Sequence, residues 1–184
     1  MNKGKDENII KRYVSKDKVN TGFISLKKSV DKEEKAYIDS LLNNEDNFTK
    51  LQKLYEYSDA IYSQYYEKSV CQKGCAHCCK IKVSISELEA EYIKINTKFK
   101  SKQSNNDLDD YCPLLNLDTG LCSIYEFRPL SCRTFLTFDN PEYCKEKTTE
   151  HVVTTLNGNP KLHQMYQGLF LTSNPILKDI RDYF

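Results

Sequence analysis

Hydrophobic residues recur at helical spacing in the part of the chain that precedes the cysteines. Ile38, Leu41 and Leu42 lie at i, i+3 and i+4, which places three apolar side chains on one face of an α-helix. A second stripe, rich in tyrosine, follows at the same spacing. We therefore expect helix over residues 31 to about 69. The polar run at 43–47 either divides it into two helices or forms solvated helix surface.

A further helix is predicted after the first cysteine-rich segment. The sequence Ser-Glu-Leu-Glu at 86–89 is a capping box, in which the serine side chain and the second glutamate satisfy backbone amides of the first turn. The helix should run to about Lys98 and carry Leu88, Tyr92 and Ile95 on one face.

Turn-forming residues interrupt the rest of the chain. The polar run at 101–110 predicts a loop, and the sequence Asp-Thr-Gly at 118–120 predicts a turn whose flanks could pair as a small hairpin. Pro129 disfavours helix at Arg128, so the chain should turn there. Two apolar clusters, at 162–171 and 176–184, predict terminal helices.

These elements predict a mainly α fold, an irregular helical domain with at most a small hairpin. The length of 184 residues suits one domain. Residues 1–30 are polar, Lys-rich and aperiodic, and we expect a flexible N-terminal arm there. Residues 31–184 are predicted to form a single α-rich domain, with a cysteine-rich core at about 70–136.

Charge and hydropathy limit the kinds of binding partner that we expect for this protein. Lys plus Arg (27) nearly balances Asp plus Glu (26), for a net charge of +1, so we expect no nucleic-acid or membrane partner. The sequence also contains no signal-peptide pattern and no run of about 18 apolar residues. We therefore predict a cytoplasmic location, where thiols stay reduced and disulfides are rare. A protein partner is left open.

The chemistry of the chain lies in its eight cysteines, four of which fall within nine residues. Thiolate sulfur is a strong ligand for zinc and for iron–sulfur clusters, and closely spaced ligands lower the entropic cost of closing a site. Buried unreactive thiols explain a single cysteine better than they explain four in nine residues. The predicted metal ligands are Cys71, Cys75, Cys78, Cys79, Cys112, Cys122, Cys132 and Cys144. Cys144 is the weakest candidate because it stands alone in a charged segment.

The number of metal sites is left open by the spacing. Cys78 and Cys79 are adjacent, so their side chains should diverge and serve different metals or different edges of a binuclear site. Eight sulfurs could supply two four-coordinate sites or one cluster with spare ligands. His77 is either a nitrogen ligand or, as we favour, an exposed loop histidine.

The two arginines near Cys132 have two interpretations each. Arg128 and Arg133 flank Cys132, where a cation would lower the pKa of nearby thiols. The alternative is a pair of surface salt bridges. His151 and His163 lack a comparable context and are predicted to be structural.

The cysteine pattern resembles a known family. The box at 71–79, the sequence Cys-Pro-Leu-Leu at 112–115, and the segment from Gly120 to Phe135 with its Ile-Tyr-Glu and Arg-Pro elements are similar to the cysteine-cluster proteins described as zinc- or iron-chelating domains. The resemblance covers roughly residues 70–136 and implies metal chelation by cysteines. Flagellin lysine methylases carry a similar cluster.

The resulting prediction is a metal-binding protein, with zinc or iron in one or two sites and an iron–sulfur cluster left open. The alternatives are an accessory or catalytic component of a protein-modifying, methyltransferase-like enzyme, and an iron–sulfur electron-transfer protein. The box has the spacing found in radical S-adenosylmethionine enzymes, but no alternation of strands and helices follows it. Whether the protein is an enzyme is left open.

Overall fold

The computed structural model describes Leu26 and residues 28–100, 111–145, 151–170 and 176–184. The loop predicted at 101–110 lies outside the described residues, as does almost all of the arm predicted at 1–30.

Short helices dominate the described part of the chain. The α-helices are α1 (Asp31–Leu42), α2 (Asn47–Tyr66), α3 (Glu87–Asn96), α4 (Leu130–Arg133) and α5 (Pro160–Gly168). The strands are β1 (Ser84–Ser86), β2 (Leu115–Asn116), β3 (Leu121–Cys122), β4 (Leu136–Thr137), β5 (Val153–Thr154) and β6 (Leu177–Asp179). They form three antiparallel pairs, β1–β6, β2–β3 and β4–β5. The predicted mainly α fold with small hairpins is confirmed.

The polar run at 43–47 separates two helices that pack against each other. Asn44 has a φ of 51°, a left-handed conformation that asparagine tolerates and that ends α1. Asp46 then caps α2, because its side chain accepts hydrogen bonds from the amides of Phe48 (2.9 Å) and Thr49 (3.1 Å). The two-helix interpretation is therefore confirmed.

The capping box at 86–89 begins α3 as predicted, but one of the three residues of the predicted apolar face, Ile95, does not pack against the core. Ile95 is 62% exposed, whereas Ala90 and Ile93 are fully buried. The reason is that α3 lies between two hydrophobic clusters. Leu88 and Tyr92 contact the cluster formed largely by α1, α2 and α5, and Ala90 and Ile93 belong to the other.

The C-terminal segment is a strand and a turn rather than the predicted helix. The stretch Leu177–Asp179 pairs with β1, and a 3-10 turn, Ile180–Asp182, follows. Ile180 and Phe184 are buried in the second cluster, with Ile85 of β1. The segment therefore pairs with the edge of β1 instead of forming a helix. The other late prediction, the helix at 162–171, is confirmed as α5. Within the described residues, no helix is long and apolar enough to cross a membrane.

A buried carboxylate joins four of the helices. Glu89 is 1% exposed. Its Oε1 accepts hydrogen bonds from the hydroxyl of Tyr55 (3.1 Å) and the amide of Leu130 (2.9 Å). Its Oε2 accepts from the amide of Ser86 (3.0 Å) and the hydroxyl of Tyr166 (2.7 Å). Burial and the nearby carboxylate raise the pKa of Tyr55 and that of Tyr166 above the usual value, so both hydroxyls stay protonated and donate to Glu89.

We predict that Glu89→Gln destabilises the protein by about 1–3 kcal/mol. Either orientation of the new amide points an NH₂ group at a backbone amide, that of Leu130 or that of Ser86, which then loses its acceptor. Exposed Glu87 on the same helix offers the matched control, and Glu87→Gln should cost under about 1 kcal/mol. Urea unfolding of both variants measures the difference. Equal stabilities would contradict the bridging role.

Candidate metal centre

The cysteine box is fixed at its start by β4. The amide of Val70 donates to the carbonyl of Thr137 (2.9 Å), and the amide of Thr137 donates to the Sγ of Cys71 (3.4 Å). A turn follows, closed by a hydrogen bond from the amide of Cys75 to the carbonyl of Gln72 (3.0 Å). The box then ends in a 3-10 turn that carries Cys78 and Cys79.

The hairpin β2–β3 brings two further cysteines to the box. The amide of Cys112 donates to the carbonyl of Cys79 (2.8 Å), and the amide of Leu115 donates to the carbonyl of Cys112 (3.0 Å). Leu115 is also the register partner of Cys122 across the hairpin. Cys112 therefore lies beside the second half of the box, and the hairpin holds Cys122 near Cys112. The predicted hairpin is confirmed.

The last two cysteines come from separate short elements. Cys132 lies on α4, whose first residue, Leu130, is held by Glu89. Cys144 lies on the 3-10 turn Pro141–Lys145, which packs against the turn His77–Lys80 of the box. Although Cys144 was the weakest sequence candidate, the fold brings it to the same region as the others.

All eight cysteines are free thiols, and their surroundings favour the protonated form of most of them. Burial raises the pKa of Cys71 and of Cys112 to about 11, and that of Cys144 to about 12. Burial also raises the pKa of Cys132 well above its usual value. A metal binding here would have to displace protons from these groups.

Cys78 is the exception. Its thiolate accepts a hydrogen bond from the thiol of Cys79, and this bond, helped by the cation of Arg128, lowers the pKa of Cys78 to about 7. The same hydrogen bond and burial raise the pKa of Cys79. Cys78 is also the exposed member of the eight. Cys78 is thus the thiol that loses its proton most readily in the metal-free protein.

Electrostatic interactions link the eight thiols into one region. Charge on Cys78 raises the pKa of six others; these are Cys71, Cys75, Cys79, Cys122, Cys132 and Cys144. Such interactions are screened beyond roughly 10 Å in salt solution. In the described residues, however, no three Cys, His, Asp or Glu side chains are arranged to hold a metal ion. The thiols are gathered, but they do not converge on one point in this conformation.

The two candidate arginines have different roles. Arg128 faces the thiols, and its charge lowers the pKa of Cys78, Cys122 and Cys132. Arg133 instead turns towards the helices. Its guanidinium is ion-paired with Asp59 (2.5 Å) and lies 4.3 Å from the ring centroid of Tyr55. Its Nε also donates to the carbonyl of Arg128 (2.7 Å), which holds the Arg128 loop in place.

A third arginine was not anticipated from the sequence. Arg181 Nη2 donates to the carbonyl of Cys79 (2.9 Å), Nη1 pairs with Asp179 (2.9 Å), and the charge lowers the pKa of Cys112. Arg181 reaches the box only because β6 pairs with β1. The apolar pattern at 176–184, which suggested a helix, contained no signal of this pairing.

The histidines divide between the box and the scaffold. His77 is half-buried within the box, and His163 is half-buried on α5. His151 Nδ1 lies 3.1 Å from Oδ1 of the fully buried Asp139. Asp139 also accepts from the amide of Val152 (2.7 Å) and the hydroxyl of Thr137 (2.8 Å). This network joins β4 to β5 beside Cys71, which agrees with the structural role predicted for His151.

The donor set fits zinc or iron by its chemistry. Thiolates are the ligands that structural zinc sites and iron–sulfur clusters use, and four separate segments bring eight cysteine thiols into one region here. Arg128 and Arg181 supply positive charge beside thiolates, which offsets part of the charge that a thiolate-rich centre carries. Reaching a ligating arrangement requires the thiols to close in from the arrangement described here, because no three now converge.

Two glycines join the box to the hairpin turn. Gly120 has a φ of +68°, and a Cβ added there would lie 3.1 Å from the carbonyl oxygen of Gly74. Gly74 itself has a φ of +87°. The turn that carries Cys122 therefore lies directly against the turn between Cys71 and Cys75.

We predict that Gly120→Ala destabilises the protein by about 1–3 kcal/mol through left-handed strain and crowding. It should also weaken metal retention, because Cys122 and the box must separate. Gly158 is the matched control, since a Cβ there would meet only Thr155 Oγ1 at 3.8 Å. Thermal unfolding and metal content of both variants give the comparison. A Gly120→Ala protein as stable as Gly158→Ala would contradict the close contact.

A comparison with protein families identifies the region that contains all eight cysteines. The CxxCxxCC family, described as a "putative zinc- or iron-chelating domain", matches residues 70–153, a little under half of the chain. The box here has three residues between its first two cysteines, where the family name has two. No curated protein and no solved structure matches the chain. Residues 70–153, which contain the box, the hairpin, Cys132 and Cys144, therefore match the model of the CxxCxxCC zinc- or iron-chelating domain.

Proposed function

We propose that this protein binds zinc or iron through the thiolates of its clustered cysteines. The observation that carries the proposal is the gathering of eight free thiols from four separate segments into one electrostatically linked region. The family match to a domain described as zinc- or iron-chelating supports it.

In the metal-free protein, the clustering of the eight thiols does not stabilise their charged forms. Each thiolate that forms raises the pKa of its neighbours, so the charged forms oppose one another. A divalent cation bound among the thiolates attracts their negative charges and so offsets their mutual repulsion. Its binding releases the thiol protons to solvent. Clustered cysteines that are mutually unfavourable without a cation are therefore well suited to hold one.

The cysteine-bearing elements are too small to hold themselves together. The strands β2 and β3 have two residues each, and α4 has four. Isolated elements of this length are marginal in water. A metal that bridges them would act as a cross-link, and structural zinc can contribute on the order of 10 kcal/mol to folding. Closing of the thiols onto the metal would thus be coupled to ordering of the domain.

The bound metal would supply either structural cross-linking, as zinc does, or electron transfer, as an iron–sulfur cluster does. Anaerobic purification followed by metal and acid-labile sulfide analysis separates these outcomes. Iron with sulfide and thiolate-to-iron absorption would support a redox or catalytic role. Colourless zinc without sulfide would support a structural or accessory role. Protein that neither retains nor takes up either metal would overturn the proposal.

We predict that Cys75→Ser and Cys78→Ser each lose metal and lower the thermal midpoint, because a serine hydroxyl is a poor ligand for zinc and for iron–sulfur clusters. Lys73→Ser is the matched control, since Lys73 is an exposed residue of the same box. It should retain the metal content of the unmodified protein. Metal analysis and thermal unfolding of the three variants test this. Full metal content in both cysteine variants would contradict thiolate ligation by the box.

A further inference from the structure

The C-terminal segment 176–184 lies outside the residues that match the family model, 70–153, yet it reaches the cysteine box. Its strand β6 pairs antiparallel with β1, the strand that follows the box. The pairing continues beyond the strand, because the amide of Ile180 donates to the carbonyl of Val83 (2.9 Å). The chain therefore runs back from β1 towards the cysteines and brings Arg181 to the end of the box.

Arg181 contacts the box at one carbonyl oxygen. Its Nη2 donates to the carbonyl of Cys79 (2.9 Å), and the same oxygen accepts from the amide of Cys112 (2.8 Å). The carbonyl oxygen of Ile81 lies 3.4 Å from both Nη1 and Nη2. Three segments therefore meet at the last residue of the box: the box itself, the chain that enters the hairpin, and the C-terminal segment.

Asp179 holds the guanidinium of Arg181 in this orientation. Its two oxygens lie 2.9 Å and 3.3 Å from Nη1 of Arg181, and its Oδ1 also accepts from the backbone amide of Arg181 (2.9 Å). Both side chains are half-buried, which strengthens these contacts relative to fully solvated ones. A guanidinium carries its donors in a fixed planar fork, and here the fork joins a carboxylate to the carbonyls of Cys79 and Ile81.

Apolar contacts fix the same segment beside the cysteines of the hairpin. Ile180 and Phe184 are buried and belong to the second hydrophobic cluster. Cys112 and Cys122 pack against that cluster. The segment therefore reaches the cysteine region by two kinds of contact, a polar one at Cys79 and an apolar one through the cluster.

We propose that the C-terminal segment 176–184 is a functional part of the metal centre, in which Arg181 positions Cys79 and Cys112 for ligation. This inference rests on the proposed function and adds a positioning residue from outside the family match. Holding the Cys79 carbonyl removes backbone freedom that metal binding would otherwise have to remove. The guanidinium also places a positive charge beside a centre that becomes negative as its thiolates form. The coupling is reciprocal, so bound metal also holds the segment in place.

The metal affinity of Arg181 variants tests the positioning role. We expect Arg181→Gln and Arg181→Lys each to bind zinc at least about tenfold more weakly than the unmodified protein, because neither side chain has the fork that joins Asp179 to the Cys79 carbonyl. Lys178→Gln is the matched control, since it removes the same charge from β6. Lys178 is exposed, and its ammonium lies 5.9 Å from the ring centroid of Tyr183. Competition with a chelator measures the affinities, with iron(II) in place of zinc if the protein takes up iron alone.

Urea unfolding separates positioning from simple support of the fold. A residue that only stabilises the fold lowers the unfolding free energy of the metal-free and metal-bound proteins equally, and it leaves the metal affinity of the folded protein unchanged. We therefore expect Arg181→Gln to cause the larger loss in the metal-bound protein. Equal losses in the two states, or Arg181 variants that bind metal as tightly as Lys178→Gln, would overturn the inference.

Hydrogen exchange of the unmodified protein tests the reciprocal effect without any substitution. Amides of 177–184 should exchange more slowly in the metal-bound protein than in the metal-free protein. The reference is α1 (Asp31–Leu42), whose buried Tyr37 belongs to the other hydrophobic cluster, and α1 should gain less protection. Protection of 177–184 that does not exceed that of α1 would overturn the inference. An unmodified protein that binds neither zinc nor iron would instead contradict the proposed function.

Discussion

The buried carboxylate of Glu89 is the point at which four helices of the domain meet. It lies on α3, accepts hydrogen bonds from tyrosines of α2 and α5, and caps both its own helix and the start of α4. A buried carboxylate is costly unless its lone pairs are used, and here each oxygen has at least two donors. Because α4 carries Cys132, this contact also fixes one edge of the cysteine cluster relative to the helical scaffold.

The helical scaffold and the cysteine region are built from elements of different length. The helices share a buried cluster of apolar and tyrosine side chains, whereas the cysteines lie on turns and strands of two to five residues. These turns are joined by single backbone hydrogen bonds, such as that between Cys112 and Cys79. Buried apolar residues beside the cysteines, such as Leu114 and Ile124, also tie these segments to the second hydrophobic cluster, whereas the thiols themselves form no disulfides. Metal binding by these thiols would add stabilisation that the small hydrophobic core does not provide.

Short-range sequence patterns predicted the elements that depend on residues close together in the chain. The capping box at Ser86 and Glu89 predicted the start of α3, and the turn at Gly120 predicted the hairpin, because each depends on residues a few positions apart. The packing of Ile95 on α3 and the structure of the segment Leu177–Asp179 were predicted wrongly. Both depend on distant partners, a second cluster and the free edge of β1, which no local spacing encodes.

In the candidate site, too, the sequence indicated what depends on neighbouring residues and not what depends on distant ones. Four cysteines in nine residues indicated the box, since short spacing is itself a signal. Cys144 and Arg181 gave no such signal, because the fold alone brings them to the box from 65 or more positions away. The two arginines beside Cys132 could not be distinguished from the sequence. Only the packing shows that Arg128 faces the thiols while Arg133 pairs with Asp59.

The proposed function requires that cysteine sulfur ligates a metal in this domain. X-ray absorption spectroscopy at the zinc and iron edges of the protein, purified without oxygen and loaded with either metal, tests this most directly. We expect a first coordination shell dominated by sulfur, at about 2.3 Å. A shell of nitrogen and oxygen alone, or no bound metal under these conditions, would contradict it.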